Sequence, residues 1–170
     1  MRKSKKEGAL SAPSFFDLGD SAWCCHLFLY TRLHLHLFLQ VMPQTKIYGN
    51  ADFIQQNREA LSTTIHSCVV DALNYPLEKK FQRFFPLQSE DFEHPCDRTE
   101  QYIIIEILMF EGRTVEAKKN LYRLLFERLN DKLGIAPLDI EIILIETPSH
   151  NWGIRGVAGD ELTLSYKVNV

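Results

Sequence analysis

Six histidines, four cysteines and one arginine at a strand-to-helix turn are the residues whose types could do chemistry here. Cys24 and Cys25 are adjacent, while Cys68 and Cys96 stand alone. That spacing matches neither a zinc site nor a disulfide framework, so the thiols read as reduced, as in a cytoplasmic protein. His34 and His36 fall on one face of a possible short strand, Arg32 to Gln40, an arrangement that suits two metal ligands. No acidic residue or cysteine stands nearby to complete a ligand set, and no metal site is expected. His66 lies beside the apolar stripe of a helix and reads as a partly exposed structural residue; His94 and His150 lie in polar loops. No partner is placed by sequence to make any of them a catalytic base. Arg113 differs, because it follows a buried strand and immediately precedes a helix start, in Gly112-Arg113-Thr114. A guanidinium fork matches a carboxylate bidentately, and the first amides of a helix favour an anion. The alternative is an ordinary exposed turn arginine.

The elements that must position these residues begin abruptly at Met42. Gln44 to Tyr48 reads as a short strand ending at Gly49. Ile54, Leu61, Ile65, Cys68, Val69 and Ala72 then recur at helical spacing, with Asn50 or Asp52 to cap the helix and Pro76 to stop it. A short strand around Phe81 to Phe85 and a loop with Pro95 follow. Tyr102 to Phe110 is β-branched and almost unbroken, as a buried strand should be. Thr114 is a natural N-cap and Glu116 suits the first turn of a second helix. Its stripe runs from Ala117 through Leu121, Leu124, Leu125 and Leu129 to Leu133, and Gly134 ends it. Asp139 to Glu146 is a further buried strand; the rest reads as turns and a last strand, Leu162 to Val168. Two βαβ units result. Right-handed crossovers place both helices on one face of a four-stranded mixed sheet, an α/β (α+β) architecture. The opposite face is then apolar and uncovered, which favours an oligomer.

At 170 residues and 19.7 kDa, the chain suits one domain with an appendage. A formal net charge of −3 lacks the basic footprint that nucleic acid demands. Residues 1–41 carry five Lys/Arg against three Asp/Glu, whereas 42–170 carry fourteen against nineteen. The first segment is read as an N-terminal extension, poorly ordered, from an over-long start or a removable leader. Asp17 and Asp20 precede its apolar stretch, contrary to a signal peptide. His26, Arg32, His34 and His36 interrupt that stretch, whereas a membrane span needs about 20 mostly apolar residues. Lys79-Lys80 and Lys118-Lys119 read as solvated faces.

A strand opening Met42-Pro43, followed by two βαβ units, resembles the tautomerase superfamily, most closely its malonate semialdehyde decarboxylase-like branch. The resemblance is carried in order by Met42-Pro43, Phe81-Gln82-Arg83, Gly112-Arg113-Thr114, Lys118 to Tyr122, Leu133 to Pro137 with Asp139, and Asn151 to Gly156. It implies a homotrimeric, cofactor-independent keto–enol tautomerase acting on a small oxo acid. Pro43, freed by removal of Met42, would be the amino-terminal general acid/base. Arg113 would bind the substrate carboxylate, and Trp152 would wall the pocket unless it serves core or interface packing. The decarboxylase pattern has a second arginine where this chain has Glu111, and an acid where this chain has Lys79, next to Glu78. Decarboxylation of a 3-oxo acid is thus the less favoured activity. A non-catalytic interaction protein on the same scaffold is the alternative if Pro43 stays acylated.

Overall fold

The computed structural model describes residues 43–162. The expected extension at 1–41, the strand at Arg32 to Gln40 with its histidine pair, Cys24 and Cys25, and all but the first residue of the last strand lie outside that span.

The sheet has the order β2-β1-β3-β4, formed by β1 (Gln44–Asn50), β2 (Gln82–Leu87), β3 (Ile103–Phe110) and β4 (Ile140–Thr147). β1 runs parallel to β2 and antiparallel to β3, and β3 runs parallel to β4. Helix α1 (Ala51–Leu73) connects the first parallel pair, and α2 (Val115–Leu133) the second. This is the mixed sheet with two helices expected from the sequence. A small antiparallel hairpin of β5 (Gly153–Ile154) and β6 (Val157–Ala158) occupies a stretch read beforehand as turns.

Local chemistry sets the helix ends. Asn50 Oδ1 accepts hydrogen bonds from the amides of Asp52 at 2.9 Å and Phe53 at 3.4 Å, which decides the cap between the two candidates. Thr114 Oγ1 accepts from the Ala117 amide at 3.1 Å and starts α2. Gly134, at φ 70°, closes α2 with its amide on the carbonyls of Asn130 and Leu129. β1 continues through Gly49 instead of turning there.

Alternation along the strands fixes the layers. Thr45 and Ile47 of β1, and Ile103, Ile105, Ile107 and Met109 of β3, are buried. The apolar members of this set pack with Ile54, Leu61, Ile65, Cys68 and Leu73 of α1 and Leu121, Leu125 and Leu129 of α2. His66 is buried, its ring Nε2 2.7 Å from the Leu77 carbonyl, so it is structural but not partly exposed. Burial also pushes the Cys68 thiol above its ordinary pKa.

The opposite sheet face is more polar than expected. Glu106 accepts from both Lys46 Nζ at 3.2 Å and Tyr48 OH at 3.1 Å, in the midst of Ile104, Leu108, Ile143 and Ile145. Tyr48 stacks on Phe85 at 4.7 Å.

Ile105 is fully buried at the centre of the sheet. Ile105→Ala is expected to cost about 2–5 kcal/mol, read as a lowered midpoint in urea unfolding, because the site cannot collapse around the lost atoms.

Candidate active site

The antiparallel pairing of β1 with β3 has a geometric consequence. It brings the start of β1 to the ends of β3 and β4. Gln44 pairs with Leu108, and Leu108 with Ile145. One step outward, Pro43 stands beside Met109, which pairs with Glu146. Pro43 is buried, as are Thr45 and Ile47 two and four residues on, so it lies on the helix-facing side of the sheet. On its other flank, the Thr45 amide donates to the Phe81 carbonyl at 2.9 Å, which fixes the entry to β2. Lys80, just before Phe81, donates to Ser62 Oγ of α1 at 3.2 Å.

The chain leaves β3 through Glu111 and Gly112. Gly112 has φ 118°, a conformation closed to side-chain-bearing residues, and this turn sets Arg113 directly before the Thr114 cap. The Glu111 amide donates to the Thr147 carbonyl at 3.1 Å and ties the ends of β3 and β4 together.

Arg113 is only 5% exposed, so it is not a solvated turn residue. One of its terminal nitrogens, NH1, donates to the Phe110 carbonyl at 3.0 Å. Its Nε is buried without any hydrogen-bond partner. None of the ion pairs among the described residues involves it. A buried cation without an anion is costly.

Trp152 completes this end of the molecule. Its indole Nε1 donates to Thr147 Oγ1 at 2.5 Å, and its ring meets Phe110 edge-on at 5.3 Å. Trp152 therefore packs on Phe110, whose carbonyl holds Arg113, and on Thr147, the β4 partner of Phe110. It also borders an open cleft of about 590 Å³ with His150, Asn151, Ile154 and Glu161. Arg155 lies at the tip of the β5–β6 hairpin at φ 54°. His94 sits far from this site, against Phe92 and Tyr102 at the opposite end of β3.

One charged pair at this end escapes sequence reading. Lys118 Nζ of α2 lies 2.7 Å from Glu146 Oε2, and Glu146 Oε1 is buried with no partner. Lys118 looks like a solvated helix lysine until α2 is laid on β4. The signal in the sequence was a glutamate closing an apolar strand on its inward-facing register. No cluster of histidine, cysteine or carboxylate residues fit for a metal occurs among the described residues.

Comparison with known proteins agrees with this architecture. A family model described as tautomerase enzyme matches residues 79–155, a span that includes Arg113 and Trp152. Probable tautomerase YusQ of Bacillus subtilis (strain 168) is 28% identical over 116 residues, which cover 65% of this chain and 91% of that protein. The 2-hydroxymuconate tautomerase of Pseudomonas putida is 35% identical over 57 residues, covering 34% of this chain and 90% of that one. Among solved structures, a malonate semialdehyde decarboxylase inhibited by 3-bromopropiolate superposes with a TM-score of 0.59 at 25% identity, over 65% of this chain and 88% of that chain. A fused 4-OT, described as an asymmetric trimer, gives a TM-score of 0.62 at 18% identity, over 69% and 97%. Fold and relatives together define a tautomerase-type enzyme. The chain belongs to the tautomerase superfamily.

Gly159 holds the hairpin against this site: a Cβ there would lie 2.5 Å from the Ser149 carbonyl oxygen and 2.8 Å from the Phe110 ring. Gly159→Ala is expected to displace the hairpin and change the Trp152 contact with Phe110. The check is a shift in tryptophan emission together with a lower melting temperature.

Proposed function

We propose that the chain is a cofactor-independent keto–enol tautomerase of a small oxo acid, with Pro43 as general acid/base and Arg113 as the carboxylate anchor. The observation that carries this reading is the buried guanidinium of Arg113 with an unpartnered Nε, at the same end of the sheet as Pro43. A substrate carboxylate would satisfy that group and neutralise its charge.

The chemistry of Pro43 requires a free secondary amine. A free α-amino group titrates near ~7.7–8.0, and burial lowers that by disfavouring the charged form. Such a group passes a proton in either direction near neutral pH. In the neutral state it takes a proton from carbon next to the carbonyl; as an ammonium it returns one. Acylated by Met42, the same nitrogen is a tertiary amide without a basic lone pair, and the scaffold would then serve binding instead of catalysis.

Tautomerisation is favoured over decarboxylation because it asks for fewer charged groups. Glu111 is exposed, and a carboxylate there offers the substrate acid no second anchor. Trp152 is assigned as a wall of the pocket, on the strength of its contacts with Phe110 and Thr147. A homotrimer fits both the uncovered sheet face and the trimeric fused 4-OT structures with this fold.

The test starts with the amino terminus of the protein from its native host, followed by turnover of an aryl enolpyruvate by the Pro43-initiated chain. Pro43→Ala is expected to lose roughly 10²–10⁴-fold in kcat. Arg113→Ala is expected to raise KM for carboxylate substrates by about 10–100-fold, the value of a hydrogen-bonded charge of about 1.5–3 kcal/mol. Full turnover by both variants would refute the mechanism, and a native start upstream of Pro43 would turn the reading to the binding role.

A further inference from the structure

We propose that the end of the sheet opposite Pro43 carries a second site, for a small organic ammonium cation bearing an apolar group. The site is a cavity of about 330 Å³ between the end of β1 and the β2–β3 connection. Phe92, His94 and Tyr102 wall it together with the carboxylates of Glu93 and Glu100.

The three rings form one connected surface. Phe92 stacks on Tyr102 at 5.4 Å, and His94 contacts both, 5.9 Å from Phe92 and 5.4 Å from Tyr102. The Tyr102 hydroxyl donates to Glu141 at 2.7 Å, so this residue offers its ring and not its O–H. The connection that carries these groups is fixed to the sheet by Asp139. That buried carboxylate accepts from the Thr99 amide at 2.7 Å and from the Thr99 hydroxyl at 2.8 Å. Thr99 itself borders the cavity, which is therefore built before a ligand arrives.

Charge selects the ligand. Two carboxylates line the cavity, and none of its lining residues is a lysine or arginine. Glu93 makes no ion pair or hydrogen bond among the described residues. Glu100 accepts from the neutral side-chain amide of Asn50, at 2.8 Å. The amino end of α1 does not make this an anion site, because Asn50 Oδ1 takes the amides of Asp52 and Phe53, and Asp52 adds a negative charge in the first turn. Arg98 stands 5.9 Å over the Tyr102 ring, outside the cavity lining, and is paired with Asp97 at 2.9 Å. The fold thus already seats one cation on this aromatic cluster and leaves the carboxylates on the cavity side without one. An ammonium group there meets negative charge, while its carbon atoms lie against the rings. A metal ion suits the site less well, since no cluster of histidine, cysteine or carboxylate residues fit for one occurs among the described residues.

The experiment titrates the full chain with 2-phenylethylammonium and with its neutral counterpart 2-phenylethanol, followed by amide NMR. The cation is expected to shift residues 89–102 saturably and to bind roughly tenfold more tightly than the alcohol, from two exposed ion pairs and ring contact. In a double variant with Glu93→Gln and Glu100→Gln, the two compounds should agree within about twofold. Phe92→Leu should weaken the cation about two- to fivefold. The comparison of the two compounds needs no variant and decides the point even if one fails to fold. Equal binding of cation and alcohol, shifts centred away from residues 89–102, no saturable binding of the cation, or a preference that survives in the double variant would each overturn the proposal.

Discussion

A positive charge buried without a counter-charge organises this end of the molecule. Arg113 keeps one hydrogen bond, to the carbonyl of Phe110, and gives up most of its hydration. Proteins seldom carry such a group, because removing a cation from water costs several kcal/mol unless an anion or a full set of acceptors compensates. The surrounding structure accordingly over-determines its position. Gly112 supplies the backbone conformation, Thr114 starts the helix one residue later, and the Glu111 amide locks the turn onto β4. A flexible surface loop would let the guanidinium swing into solvent. Here the hydrophobic packing of α2, through Leu121, Leu125 and Leu129, stabilises the geometry that the charge alone would oppose.

The sheet order provides the second constraint. Two parallel βαβ units joined by an antiparallel central pair put the start of β1 at the ends of β3 and β4. No other order of these four strands with one central antiparallel pair sets Pro43 against both Met109 and, through it, Glu146. The site is therefore a property of the register. A slip of one residue between β1 and β3 would carry Pro43 to the face away from the helices. Thr45 and Ile47 resist that slip, because it would expose them and bury Gln44 and Lys46.

Much of this was legible in the sequence because the same residues carry local and global signals. The run from Ile103 to Phe110 is β-branched and apolar, the stripe of α2 is regular, and Thr114 and Gly134 bracket it with standard caps. Arg113 could be singled out because a strand, a glycine and a helix cap surround it. Its burial could not, since an arginine at a turn is ordinarily solvated and only tertiary packing covers it. The β5–β6 hairpin escaped because two-residue strands carry no periodicity. Glu146 escaped for a related reason. Its meaning comes from Lys118, 28 residues away, and from an orphaned oxygen that only the packed structure reveals. Glu106, likewise, breaks the apolar pattern of β3 visibly, yet its role in joining Lys46 and Tyr48 across β1 follows only from the register.

The charge arrangement along this sheet end narrows the chemistry further. Reading outward from β2 to α2, the side chains run from Lys80, through Pro43 and Met109, to Glu146 and Lys118. Lys118 is paired with Glu146, whereas Lys80 is exposed and donates only to the neutral Ser62 hydroxyl, so neither is a buried, unpaired cation like Arg113. Proton exchange at carbon next to a carbonyl needs one group of matched basicity and one anchor, and the proposed Pro43 and Arg113 supply that pair. Loss of carbon dioxide asks for more. The leaving carboxylate must be desolvated while the carbonyl receiving the electrons is held by positive charge. Arg113 is the single buried side-chain cation outside an ion pair among the described residues, so for that reaction the proposed Pro43 would have to hold the carbonyl as an ammonium. Proton transfer fits that inventory of charges without a further cation.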